Sequence, residues 1–167
     1  GALTKNRGID LLVHSCTLLL EKYPSLRLHL IGPYGFGIPA DLKRTIETSD
    51  FIMRTELPRS AIPAALTDMD LLVLPYNPQE RYLNLTYPTK IFEYIGAAKP
   101  ILCTRCESLM DIEDMGGFTY VDYSPAEMAK AIEYLVAHPE VRTEMGRALY
   151  RIREDHTWTE RASRIYH

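Results

Sequence analysis

Cysteine is scarce in this chain, basic charge is not in excess, and long apolar runs are missing. Only Cys16, Cys103 and Cys106 occur among 167 residues. An odd number without framework spacing excludes a disulfide scaffold, so reduced thiols and a cytoplasmic setting are expected. Cys103 and Cys106 form a single C-x-x-C. A structural zinc site needs about four ligands, and there is no second cysteine pair and no ligand spacing among His14, His29, His138, His156 and His167. A redox pair is the other chemical reading of C-x-x-C; the plainer one is that Cys103 ends a buried strand. Lysine and arginine total 19 against 22 acidic residues, a net charge of −3, which argues against a nucleic-acid partner. The longest apolar stretch, "LLVHSCTLLL", is broken by His14 and Ser15 and is too short to be a transmembrane segment. No stretch reads as a signal peptide, an internal repeat or a low-complexity tract.

What is present is a regular alternation. Hydrophobic residues make up 46% of the chain, enough for the core of one domain. Apolar positions 9, 12, 13, 16, 19 and 20 follow the helical period and predict a helix from about Gly8 to Lys22, stopped by Pro24. "LRLHLIG" (26–32) reads as a strand, "ADLKRTIETSD" (40–50) as a polar helix and "FIMRT" (51–55) as a short strand. Ser60 is placed to cap a helix through about Asp68. "DLLVLP" (70–75) is the unbroken run of a strand covered on both faces. A polar loop is expected over 76–88, a helix over 89–97 and a buried strand at "PILCT" (100–104). "ESLMDIEDM" suggests a short helical piece and "GGFTYVD" (116–122) a strand. Ser124-Pro125-Ala126-Glu127 has the pattern of a capping box with proline at the first helical position. Pro139 should stop that helix, with another over roughly 140–153 and a last one near Trp158. Five strand–helix alternations predict an α/β, Rossmann-like parallel sheet with helices on both faces.

The chain starts with "GALTKNRG" and not with methionine. It reads as the end of a strand entering a loop, so residues 1–167 are expected to be one domain of a longer protein that lacks its first strand.

In such sheets ligands bind beyond the carboxyl ends of the strands. Arg7, with Lys5 near it, stands at the mouth of the first helix. Lys90 falls in the first turn of the helix within "YPTKIFEYIGAAKP". A cation at a helix N-terminus is unfavourable by up to about 1 kcal/mol. An anion between the two, such as a diphosphate, removes the conflict; otherwise the side chains extend into water. Glu93 lies three positions after Lys90, on the same face. It can pair with Lys90 or accept hydrogen bonds from a ribose diol. The loop "GPYGFG" (32–37) does not match G-x-G-x-x-G; it either lets backbone approach a ligand or makes a turn.

Three stretches together resemble the C-terminal domain of group 1 (family 4) glycosyltransferases with the GT-B fold. They are "NRGIDLLVHSCTLLLEKYPSLRLHLIGPYG", "LTDMDLLVLPY" and "PTKIFEYIGAAKPIL". "GGFTYVDYSPAEMAKAIEYLVAHPEVRTEMG" continues in register, and "HTWTERASRIYH" resembles the closing helix. The resemblance implies a retaining transfer from a nucleotide-diphosphate sugar without a bound metal. It also implies a partner N-terminal acceptor domain, through which any membrane association would act. It assigns Arg7 to the donor diphosphate, with Lys90 in the "P-x-K-x-F-E-Y" variant of the motif and Lys5 as a further candidate. Glu93 takes the place of the ribose-binding second glutamate of the family's pair, and Arg54, Leu57 and Pro58 would flank the base. Three positions depart from the pattern. Ala2 stands where an arginine is common. Leu85 stands where the first glutamate belongs, with Glu80 nearby. Ala98 replaces a glycine, which costs stability if the position needs a positive φ.

The main expectation is therefore a donor-binding domain that by itself binds nucleotide weakly and transfers nothing. The alternative is a non-catalytic nucleotide-binding or protein-interaction module on a degenerate scaffold. An epimerase or phosphorylase relative is a third reading, from fold analogy alone.

Overall fold

Apolar runs that end at proline or glycine form the strands, and the amphipathic segments between them form the helices. A computed structural model describes residues 1–86, 88–110, 112 and 115–157. In chain order the elements are α1 (Ile9–Thr17), β1 (Leu28–Ile31), α2 (Ala40–Thr48), β2 (Ile52–Thr55), α3 (Ile62–Thr67) and β3 (Leu72–Leu74). They continue with α4 (Arg81–Leu85), α5 (Lys90–Ala97), β4 (Ile101–Thr104), α6 (Glu107–Met110), β5 (Phe118–Val121), α7 (Pro125–Ala137) and α8 (Pro139–Ile152). The helix expected near Trp158 lies outside the described residues, as does part of "ESLMDIEDM".

The strands are parallel, as expected, but they form two sheets. β1 pairs with β2, and β3, β4 and β5 pair in that order. Helices cover both faces. In β4, Leu102 joins one core with α1 and α7, while Ile101 and Cys103 join the other with α5 and Leu149 of α8. Alternate residues of one strand thus serve opposite cores, which is why "PILCT" is continuously apolar. Cys103 sits within this strand, and all three cysteines are buried free thiols. Burial raises the pKa of Cys103 and Cys106, the reverse of what a redox pair requires.

Several local expectations were altered by hydrogen bonding. The first helix ends at Thr17 and not at Lys22. Ser15 and Thr17 hydroxyls donate to the Leu11 and Val13 carbonyls at 2.7 and 2.9 Å, and the chain then tightens into turns, with the Leu19 amide on the Cys16 carbonyl. Ser60 is not a cap. It lies in a 3-10 turn, Arg59–Ala61, and α3 starts at Ile62 with Pro63 in its first turn. Ser124 does hold the N-cap position with Pro125 behind it, but no capping bond forms. Glu127 pairs with Lys130 at 2.8 Å, so its carboxylate is not free to close the box. The segment 76–88 contains α4, held because Ser108 Oγ donates to the Leu83 carbonyl (2.7 Å) and Asn84 Nδ2 to that of Pro78 (2.6 Å).

Two backbone positions carry unusual constraints. Gly8 has φ 71°, and a Cβ added there would lie 1.6 Å from the Pro75 carbonyl oxygen. Ala98 caps α5 in the left-handed region, at φ 52° and ψ 40°. Left-handed geometry costs a non-glycine residue about 1–2 kcal/mol. Ala98→Gly should therefore stabilise the domain by about 0.5–1 kcal/mol, a Tm increase of roughly 2–3 °C. Gly8→Ala should lose at least ~2 kcal/mol, because it adds a backbone clash to the strain. Thermal melts followed by circular dichroism check both; an unchanged Gly8→Ala protein would show that α1 can shift away from β3.

Candidate functional site

The chain start lies against the carboxyl end of β1. The Gly1 amino group donates to the Ile31 carbonyl at 3.0 Å, and the Leu3 amide to that of Pro33 at 2.8 Å. The Gly35 amide returns a bond to the Leu3 carbonyl. The "GPYGFG" loop is thus a turn clasping residues 1–3. A 3-10 turn, Lys5–Arg7, follows, and Gly8 then joins the segment to the end of β3 through its contact with Pro75. The Asn77 amide on the Asn6 carbonyl adds a second tie. The carboxyl ends of β1 and β3 therefore meet at one place.

Arg7 and Lys90 also meet there. Arg7 Nη1 donates to the Ala2 carbonyl at 3.1 Å. A Cβ added to Gly1 would lie 2.9 Å from Lys90 Nζ and 3.4 Å from Arg7 Nη1, so both cationic tips lie beside Gly1. Lys90 is the first residue of α5, as the sequence suggests. Arg7 is not inside a helix start: it closes the 3-10 turn, with Gly8 between it and α1, so only Lys90 opposes a helix dipole.

Burial lowers the Lys90 pKa, the Arg7 guanidinium adds to that, and Glu93 and the Gly1 amine oppose it. The Gly1 ammonium is lowered too, by burial first and then by Lys90 and Arg7. Glu93 is exposed one turn along α5. Behind these groups is a cavity of about 150 Å³ whose walls include Tyr76 and Tyr94. Burial raises both phenols, and Arg7 partly offsets this for Tyr76. The two tyrosines were not singled out from sequence; Tyr94 directly follows Glu93, and Tyr76 follows the proline that ends β3.

The other expected residues stand apart. Lys5 is exposed and does not line the cavity. Arg54, at β2, donates to the Gly32 carbonyl at 3.3 Å and to Glu56 Oε1 at 2.8 Å, and its guanidinium stacks 4.6 Å from the Tyr34 ring centre. Leu57 and Pro58 are exposed on the loop after β2. Leu85 is 73% exposed at the end of α4, and Glu80 precedes that helix.

The family model described as "Glycosyl transferases group 1" matches residues 1–138. The chain belongs to this family. No curated protein matches it. Solved structures similar to this group 1 domain share its fold at 16% identity. The C-terminal domain of the glycosyl transferase LpcC from Francisella tularensis has a TM-score of 0.73, over 91% of this chain and 80% of that one. Anabaena HepE, solved with UDP and glucose, has a TM-score of 0.76, over 93% of this chain and 42% of that one. Sucrose-phosphate synthase from Thermosynechococcus elongatus also has 0.76, over 99% and 43%. The chain thus spans less than half the length of the last two proteins and most of the LpcC domain. Among the described residues no helix is long and apolar enough to cross a membrane.

The crowded cations of this glycosyl transferase domain give a testable pH dependence. Because the folded pKa of Lys90 is lowered, the unfolded chain holds more protons between that value and the ordinary lysine pKa. Stability then rises with pH through this window, and the full penalty is present at neutral pH. Lys90→Met should raise Tm at pH 7, with the gain shrinking toward pH 10.5. Melts at the two pH values check this; a lower Tm at pH 7 would mean that Lys90 is held by a favourable ion pair with Glu93.

Proposed function

We propose that this chain is the donor-binding half of a retaining glycosyltransferase, holding a nucleotide-diphosphate sugar against Arg7, Lys90 and Glu93. The observation that carries this reading is the convergence of two half-buried cations on the Gly1 backbone. Two like charges at that distance repel, and a diphosphate between them turns repulsion into two charge-assisted contacts. As the glycosidic bond breaks, negative charge builds on the leaving diphosphate. Arg7 and Lys90 are fixed where that charge appears, which is how preorganised groups lower a barrier. They supply countercharge from side chains, in keeping with a metal-independent transfer. Glu93, one helical turn from Lys90, is within reach of the ribose diol, and its carboxylate accepts from both hydroxyls. Arg54, Leu57 and Pro58, on and after β2, would flank the base, and Lys5 is a further candidate for the diphosphate.

No acceptor-activating base is assigned within this chain. The acceptor would be held by an N-terminal domain, so residues 1–167 would bind the donor nucleotide weakly and transfer no sugar.

A second reading, a non-catalytic nucleotide or interaction module, draws on Leu85. An exposed apolar side chain replaces the carboxylate that family members turn toward the donor sugar.

Calorimetric titration of UDP, GDP and ADP, free and sugar-linked, tests both. One nucleoside diphosphate should bind, and Lys90→Ala and Glu93→Ala should each weaken it by about tenfold or more, the cost of a charged hydrogen bond. Absence of binding by all three would favour the interaction module. Binding unaffected by either change would place the site elsewhere.

A further inference from the structure

A second cavity, of about 410 Å³, opens at the other end of the strands, where β3 and β4 begin. The Leu72 amide donates to the Pro100 carbonyl at 3.0 Å, so Asp70, two residues before Leu72, and Lys99, one before Pro100, share its rim. The rest of the wall is a stripe of α8 that includes Thr143 and Gly146, with Arg142 and Arg147 beside them. Glycine inside a helix costs about 1 kcal/mol against alanine. Gly146 is needed here because a Cβ would lie 2.7 Å from the Ala98 carbonyl oxygen: α8 lies directly on the turn that carries Lys99. That contact brings cations from two elements to one cavity.

Three cations and one carboxylate line it, a local charge of +2 in a chain whose net charge is −3. Arg142 is fixed in place, since its Nη1 donates to the Leu135 and Val136 carbonyls at the end of α7. These bonds engage Nη1 alone, so Nε and Nη2 keep protons for another acceptor. Lys99 is half-buried and Arg147 exposed. Among the described residues neither of them, nor Asp70, forms an ion pair. Opposite charges that line one cavity without touching leave a gap between them. Thr143 Oγ1 already donates to the Pro139 carbonyl at 2.9 Å, so it has only lone pairs to offer.

We propose that this cavity binds a phosphate group, free or as a phosphomonoester, between Lys99, Arg142 and Arg147, with Asp70 accepting a hydrogen bond from the ligand. A phosphate group near its dianionic form matches the local charge. Ammonium and guanidinium groups are the donors that hold it with charge-assisted bonds. Asp70 and Thr143 decide which anion is taken. Both present acceptors, so the ligand must bring a proton to give them. Hydrogen phosphate carries one on oxygen, and a phosphomonoester of a polyol has hydroxyls beside it; sulfate has neither. The site uses none of Arg7, Lys90 and Glu93 and is independent of the donor reading.

Amide chemical shifts resolved by residue, followed as sodium phosphate is added at constant ionic strength, test it. The Lys99, Gly146 and Arg147 amides should move on one saturable curve with a Kd of about 1 mM. Lys99→Gln and Arg147→Gln should each weaken binding about tenfold, the loss of one charged contact. Sulfate should bind about tenfold more weakly than phosphate. Asp70→Asn should remove that difference, since an amide can donate to sulfate. Phosphatidic acid in phosphatidylcholine vesicles presents the same group on a lipid. Co-sedimentation that is lost in Lys99→Gln and Arg147→Gln supports the site, with lipid as the source. Absence of a response to either source overturns the proposal. So does a response that Lys90→Ala alone abolishes, which places the phosphate at Arg7 and Lys90. An equal response to sulfate, unchanged by Asp70→Asn, overturns it too. The titration of the unaltered protein decides the matter even where a variant fails to fold.

Discussion

The contact between Gly8 and the Pro75 carbonyl is the constraint from which the geometry at the carboxyl end of β3 follows. A single extra carbon would lie 1.6 Å from that oxygen, so the first helix can start where it does only with glycine there. The contact fixes the segment before α1 to the end of β3. Arg7, one residue earlier, is then carried to the same few ångströms as Lys90 at the start of α5. Neither cation would be half-buried beside the other if α1 stood one side-chain width away from β3.

Helix α5 shows what this arrangement costs. At its N-terminus Lys90 opposes the helix dipole, loses hydration and faces Arg7. At its C-terminus Ala98 holds a left-handed conformation that glycine would adopt without penalty. Both ends are unfavourable, yet the helix forms. Ile91 and Ile95 are fully buried and Phe92 nearly so, each contributing about 1.5–3 kcal/mol. The apolar face outweighs the two ends, and the strain at the N-terminus is of the kind that accumulates at binding sites. The cation is held there by packing.

Features set by periodicity and proline were legible in the sequence. The parallel α/β class, the buried runs of β3 and β4, the span of α5 and the break between α7 and α8 at Pro139 all follow from spacing within a few residues. Features set by competition for hydrogen bonds were not. Ser15 and Thr17 shorten α1, Lys130 takes the carboxylate that would close a capping box, and α4 forms in a polar stretch because Ser108, distant in sequence, anchors it. Of the residues singled out from the sequence, Lys90 was legible as the first residue of α5 and Glu93 as lying one turn along it; that Arg7 closes a 3-10 turn and not a helix start was not. Tyr76 and Tyr94 were not, because a tyrosine in an apolar run looks the same whether it fills a core or walls a cavity.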